Sequence, residues 1–227
     1  MRWAAETGAI LFKELRTEWR TRVALSSVGL FALSSLTLIA LALGGGPRPT
    51  AEVAAALVWV VMFFTAATGL GRVFVQEEER GTALALRLCA RATTVWTGKF
   101  AANLLLLLAL TALAVPMLLA LLNARPENGA LLFCVLLLGS LGIAAVMTTT
   151  AALVAQASAK GGLLAALSFP LLVPLLLAGV HGTKAALGVG NPGGRFGAGA
   201  GDLQVLGSYG VIAVTASLLL FDFVWND

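Results

Sequence analysis

Residues 100–122 read FAANLLLLLALTALAVPMLLALL, and no Lys, Arg, Asp or Glu occurs between Lys99 and Arg125. The hydrocarbon core of a bilayer is ~30 Å thick, and an α-helix crosses it in about 20 residues at ~1.5 Å each. A transmembrane strand would alternate polar and apolar positions over about 10 residues. The run Leu104 to Leu110 does not alternate. The stretch therefore reads as a membrane-spanning helix, with Pro116 the natural place for a kink.

Working outward, the same pattern recurs. No charge occurs between Arg22 and Arg48, Glu52 and Arg72, Glu127 and Lys160, Lys160 and Lys184, or Asp202 and Asp222. One charge at mid-bilayer costs roughly 3 kcal/mol on insertion scales, so intervals this clean mark segments solvated by lipid. Composition agrees: 59% of the 227 residues are hydrophobic and 11% charged, against about 25% charged in a soluble domain. The mean hydropathy is +0.94. The expected fold is an all-α membrane protein of one domain with six transmembrane helices, near 23–43, 53–75, 100–122, 130–155, 161–180 and 205–223. Gly44-Gly45-Gly46-Pro47 ends the first span, and Pro170 and Pro174 lie inside the fifth. A Gly-rich loop is expected over 182–204.

Residues 1–22 do not read as a signal peptide, because the charged stretch is long and no short apolar core with a small-residue cleavage site follows. Leu11, Phe12, Leu15, Trp19 and Val23 share one helical face, and Lys13, Glu14, Arg16, Glu18, Arg20 and Arg22 occupy the rest. That pattern predicts an amphipathic helix in the headgroup region. With the N-terminus cytoplasmic, eleven of the fifteen Lys and Arg residues fall in the N-terminal segment, at Arg72, in the 76–99 loop or at Lys160. The positive-inside rule then sets both termini and that loop in the cytoplasm and the 182–204 loop outside.

Several motifs carry little. Gly188-Val-Gly-Asn-Pro-Gly193 matches G-x-G-x-x-G, but no strand precedes it. No G-x-x-x-x-G-K-[ST] loop occurs, so the chain has no recognisable nucleotide-phosphate loop of its own. Cys89 and Cys134 are far apart and suggest neither disulfide scaffold nor zinc cluster. His181 is the only histidine; at the outer end of span five it is a candidate heme ligand or a plain interfacial residue. The spans hold almost no ionisable residues, unlike carriers driven by ion gradients. Thr148-Thr149-Thr150 and Gln156 could line a path or pack against neighbouring helices. No residue constellation points to nucleic acid, a resident metal or an intramembrane catalytic site.

The informative segment follows span two: Phe74-Val-Gln-Glu77-Glu78-Glu79-Arg80-Gly81-Thr82-Ala-Leu84-Ala-Leu86. Gly81 can break a helix and Thr82 can cap a new one. Leu84, Leu86 and Leu88 give the new segment an apolar side. This predicts a helix–break–helix element along the membrane surface.

The segment is similar to the loop of ABC-2 type permeases that docks on the ATPase. The chain more closely resembles the heme exporter protein B family (CcmB), the permease of cytochrome c maturation. Phe74, Glu77, Gly81 and Thr82 stand at the positions of that family's F-x-x-D-x-x-D-G-[ST]-L motif; Arg80, Ala83 and Leu84 depart from it. Gly98-Lys99-Phe100, Phe169-Pro170-Leu-Leu-Val-Pro174 and Leu220-Phe-Asp-Phe-Val224 extend the similarity along the chain. The resemblance implies a non-enzymatic permease subunit of the bacterial inner membrane. Phe74, Glu77, Glu78, Glu79, Arg80, Gly81, Thr82, Leu84 and Leu86 would form a coupling helix for a separate ATPase, the A subunit of that system. Glu77 and its neighbours would meet basic groups, and spans two and five would carry the motion outward. ATP would bind the partner, with heme as possible cargo, other cytochrome c maturation membrane proteins nearby, and a homodimer possible. The alternatives are an ABC-2 permease for a drug, lipid or polysaccharide, and a non-transporting membrane scaffold.

Overall fold

The computed structural model describes residues 2–43, 49–79, 81–155, 163–190 and 195–226. Among these, the regular elements are all helical: α1 (Arg2–Thr21), α2 (Val23–Leu43), α3 (Ala51–Gly69), α4 (Arg72–Glu79), α5 (Ala83–Cys89), α6 (Ala92–Leu121), α7 (Gly129–Ala155), α8 (Leu163–Ala186), a 3-10 turn at Phe196–Gly199, and α9 (Ala200–Asn226). Among the described residues, five helical stretches are long and apolar enough to cross a membrane: Ala51–Glu79, Ala92–Leu121, Gly129–Ala155, Leu163–Ala186 and Phe196–Phe223. The sixth span expected at 23–43 corresponds to α2, whose stretch Gly29–Ile39 is apolar but shorter.

Local chemistry sets the helix ends. The Thr50 hydroxyl accepts a hydrogen bond from the Val53 amide at the start of α3 (3.4 Å), and the Asn128 side chain accepts from the Leu131 amide at the start of α7 (2.9 Å). Each satisfies a helix N–H that has no intrahelical partner. Asn123 adopts φ 52° after α6, and the Ala124 amide bonds back to the Leu119 carbonyl at 2.9 Å. This left-handed closure suits asparagine. The amides of Glu127 and Asn128 then bond to the Ala186 carbonyl (3.0 and 3.1 Å), which ties the α6–α7 turn to the end of α8.

At the centre of the bundle, α7 packs against α4, α6, α8 and α9. Its buried positions include Gly139, Ser140, Gly142, Ala144, Ala145 and Ala151. Small side chains let helices approach closely where lipid supplies no hydrophobic drive. Trp59 of α3 uses this space. A Cβ at Gly139 of α7 or at Gly179 of α8 would overlap its indole, and its Nε1 donates to the Thr183 hydroxyl at 2.9 Å. The threonine run in α7 is part of the packing. Asn103 donates to Thr148 (2.9 Å), Trp96 donates to Thr149 (3.0 Å), and Thr150 shares a hydrogen bond with Ser168 (2.9 Å). Gln156 lies outside the described residues.

Several boundaries differ from the sequence expectation. The loop expected over 76–99 is mostly helical, and α6 begins at Ala92, before Lys99. The loop expected over 182–204 is helical at both ends. Pro116 lies inside α6, and Pro170 and Pro174 lie inside α8, within the spans where the sequence places them. Helix α1 is present, and the side it turns to the bundle is not its Phe12–Leu15–Trp19 face. Ile10 is buried and Thr7 and Glu14 are partly buried, whereas Phe12, Leu15 and Trp19 are exposed. Ile10 lies on Gly98 of α6, where an added Cβ would come within 2.7 Å of its Cγ2. Glu14, on the same side, has a buried partner in Lys99.

Candidate functional site

The site forms where α4 and α5 meet the ends of α1, α6 and α9. Helix α4 stops at a left-handed Gly81 (φ 66°). The Thr82 amide bonds to the Glu77 carbonyl at 3.0 Å and the Gly81 amide to the Glu78 carbonyl at 3.1 Å. That pairing satisfies the last carbonyls of α4, and a Cβ-bearing residue would be strained there. Thr82 precedes α5 but makes no side-chain cap. Its hydroxyl donates instead to the Glu77 carboxylate and backbone carbonyl. The expected break is present, and the expected cap is replaced by a brace back onto α4.

Lys99 organises the buried side of this corner. It is fully buried, and its ammonium donates to Glu14 Oε1 (2.7 Å), the Val73 carbonyl (2.9 Å) and Glu77 Oε1 (3.3 Å). Those three acceptors match its three donors. It also lies 5.0 Å from the centre of the Phe74 ring, a cation–π distance. Lys13 of α1 pairs with the same Glu77 carboxylate and, at 3.6 Å, with Glu14. Two lysines and two glutamates from α1, α4 and α6 thus form one alternating cluster. A lone buried ammonium would be expensive, and the paired carboxylates offset its desolvation.

Phe74 extends the corner to α9. Its ring centroid is 5.5 Å from that of Phe221 and 6.1 Å from that of Trp225, and those two rings stack at 5.4 Å. Arg87 of α5 sits over the Trp225 ring at 5.3 Å. The segment is therefore fixed on its inner side by charge and by aromatic contact.

The expected site residues divide by face. Phe74 and Glu77 are buried, turned into the bundle, so Glu77 meets basic groups of its own chain. Glu78, Glu79, Gly81 and Thr82 are exposed, and Leu86 is half-buried. Arg80 and the Leu84 side chain lie outside the described residues. Leu88 is 82% exposed and Cys89 is an exposed free thiol. Beside them an open recess of about 560 Å³ runs between Arg87, Leu88 and Arg91 on one side and Asp222 and Trp225 on the other. His181 is far along the chain in α8 and exposed, with Asp202 of α9 within electrostatic reach.

Lys13, Glu14 and Lys99 escaped the sequence reading as site residues, as did the contribution of Trp225. The available signal was Lys99 itself, a single charge directly before a long apolar run and downstream of an acidic cluster.

A family model described as CcmB protein matches residues 6–223, nearly the whole chain. No curated protein matches it.

Proposed function

Because the chain belongs to the CcmB family, heme exporter permeases of cytochrome c biogenesis and subunits of ABC transporters, we propose that its α4–α5 segment is the lever by which a separate ATPase drives it. The multi-pass architecture and the family give the permease role; ATPase docking, topology and cargo are the proposed part. In this reading α2 supplies a sixth crossing, both termini lie in the cytoplasm of a bacterial inner membrane, and α1 lies in the headgroup layer with Phe12, Leu15 and Trp19 toward lipid.

The observation that carries the proposal is the two-sidedness of α4–α5. Its inner side is bound to α1, α6 and α9 through Glu77 and Phe74. Its outer side offers Glu78, Glu79, the Gly81 turn and an exposed Leu88. A surface element with an apolar tip and flanking charges suits a partner's groove, with the leucine buried at its centre and the charges at the rim. Force applied at that tip passes into α7 and α9, which α4 and Phe74 touch, and into α3 and α8, which Trp59 and Thr183 join.

The driven step is either export of heme or release of a heme-loaded chaperone from its membrane partners. The second is favoured here; under the first, His181 is the candidate heme contact. The permease purified alone is then expected to show no stoichiometric heme absorbance. A bound heme that disappears in His181→Ala would overturn that choice.

The docking test is co-purification. Glu78→Lys, Glu79→Lys and Leu88→Glu combined should abolish capture of the ATPase while leaving membrane abundance unchanged. Capture at the wild-type level would refute the docking assignment.

A further inference from the structure

We propose that the groove between α1, the α3–α4 junction and α6 is a binding site for one anionic phospholipid. This inference is independent of how the ATPase docks. The groove has a volume of about 510 Å³, within the ~300–1,000 Å³ typical of small-molecule sites. Its lining combines two chemistries: a polar part with Arg22 and Arg72, both exposed, and an apolar part with Leu15, Trp19, Leu105 and Ala109.

The charge of the polar part favours an anion. Neither guanidinium forms an ion pair with a described residue. Of the two carboxylates that also border the groove, Glu14 is bound by Lys99 and Lys13, which leaves Glu18 against two arginines. Arg22 is also held in an unusual backbone state. It is the one-residue link between α1 and α2, with φ 52°. Its amide bonds to the Glu18 carbonyl at 2.6 Å, and its carbonyl accepts from the Ser26 amide at 2.8 Å. A left-handed arginine costs on the order of 1 kcal/mol and is retained where the surroundings fix it. Here it separates α1 from α2 beside the groove.

The apolar part favours a lipid over a soluble anion. Trp19 is 83% exposed and Leu105 is 47% exposed, so the groove opens to the side where an apolar solvent must lie. Tryptophan and arginine at the edge of an apolar wall match the headgroup level of a bilayer. A phosphate at Arg22 and Arg72 with one acyl chain along Leu105 and Ala109 satisfies both parts at once.

The experiment uses the full chain in nanodiscs containing equal phosphatidylglycerol and phosphatidylcholine, then native mass spectrometry after detergent release. Wild type should retain phosphatidylglycerol in preference. Arg22→Gln with Arg72→Gln should lower that retention roughly tenfold or more, since each basic residue contributes a several-fold preference for anionic lipid. Ala109→Phe, which keeps both arginines and fills the apolar part, should also lower it. Arg48→Gln with Arg125→Gln should not. Equal retention of the two lipids, unchanged retention in both groove variants, displacement of the lipid by free phosphate, or a protein partner cross-linked at Ala109→Cys in place of lipid would each overturn the proposal.

Discussion

Lys99 sits between two opposing costs. Burying an ammonium sacrifices several kcal/mol of solvation, and stranding a buried carboxylate costs about 3–5 kcal/mol. The structure resolves this by giving each donor of Lys99 an acceptor. Lys99→Met should therefore destabilise the protein by about 3 kcal/mol, because Glu14 and Glu77 are left with Lys13 alone. Adding Glu77→Leu should recover part of that loss, which thermal unfolding in detergent would read as a coupling between the two sites. Additive losses would show that the cluster does not act as a unit. Gly81 makes a second residue-scale prediction. Gly81→Val should cost about 1–2 kcal/mol at its left-handed position and should speed amide exchange in α4–α5. Gly81→Asn, which tolerates that geometry, should change exchange little.

At the scale of elements, α1 packs along α6, with Ile10 on Gly98 and with Lys13 and Glu14 on the buried cluster. Gly98→Leu should push α1 off α6, raising hydrogen exchange across residues 2–21 while α7 stays protected. Unchanged exchange in α1 would mean that its hold lies elsewhere. This element also shows what a sequence can and cannot convey. The spans were legible because absence of charge over about 20 residues is a one-dimensional property. The start of α6 was not. Lys99 counts against burial when read alone, and only the fold shows that carboxylates from α1 and α4 neutralise it. The docking face of α1 was hidden for the same reason, since Lys13 and Glu14 look solvent-facing until their partners are known. The break at Gly81 was legible because the backbone conformation belongs to that residue. The brace at Thr82 was not, because hydroxyl partners are chosen by geometry.

For the whole molecule, the small-residue face of α7 holds the bundle together, while the α4–α5 corner joins α1, α6 and α9 at one end. Trp59 links the bundle at a distance from that corner. Trp59→Ala should destabilise by about 3–5 kcal/mol, as for other fully buried aromatics, without altering capture of the ATPase by the exposed face. The central claim is that this corner faces the cytoplasm and meets the ATPase at its tip. Cys89 stands at that tip as an exposed thiol, so thiol labelling reads the claim directly in a Cys134→Ala background. The account predicts that a membrane-impermeant maleimide labels Cys89 in inside-out vesicles and not in intact cells, and that added ATPase lowers the rate at least tenfold. Labelling from the outer side, or a rate indifferent to the ATPase, would contradict it.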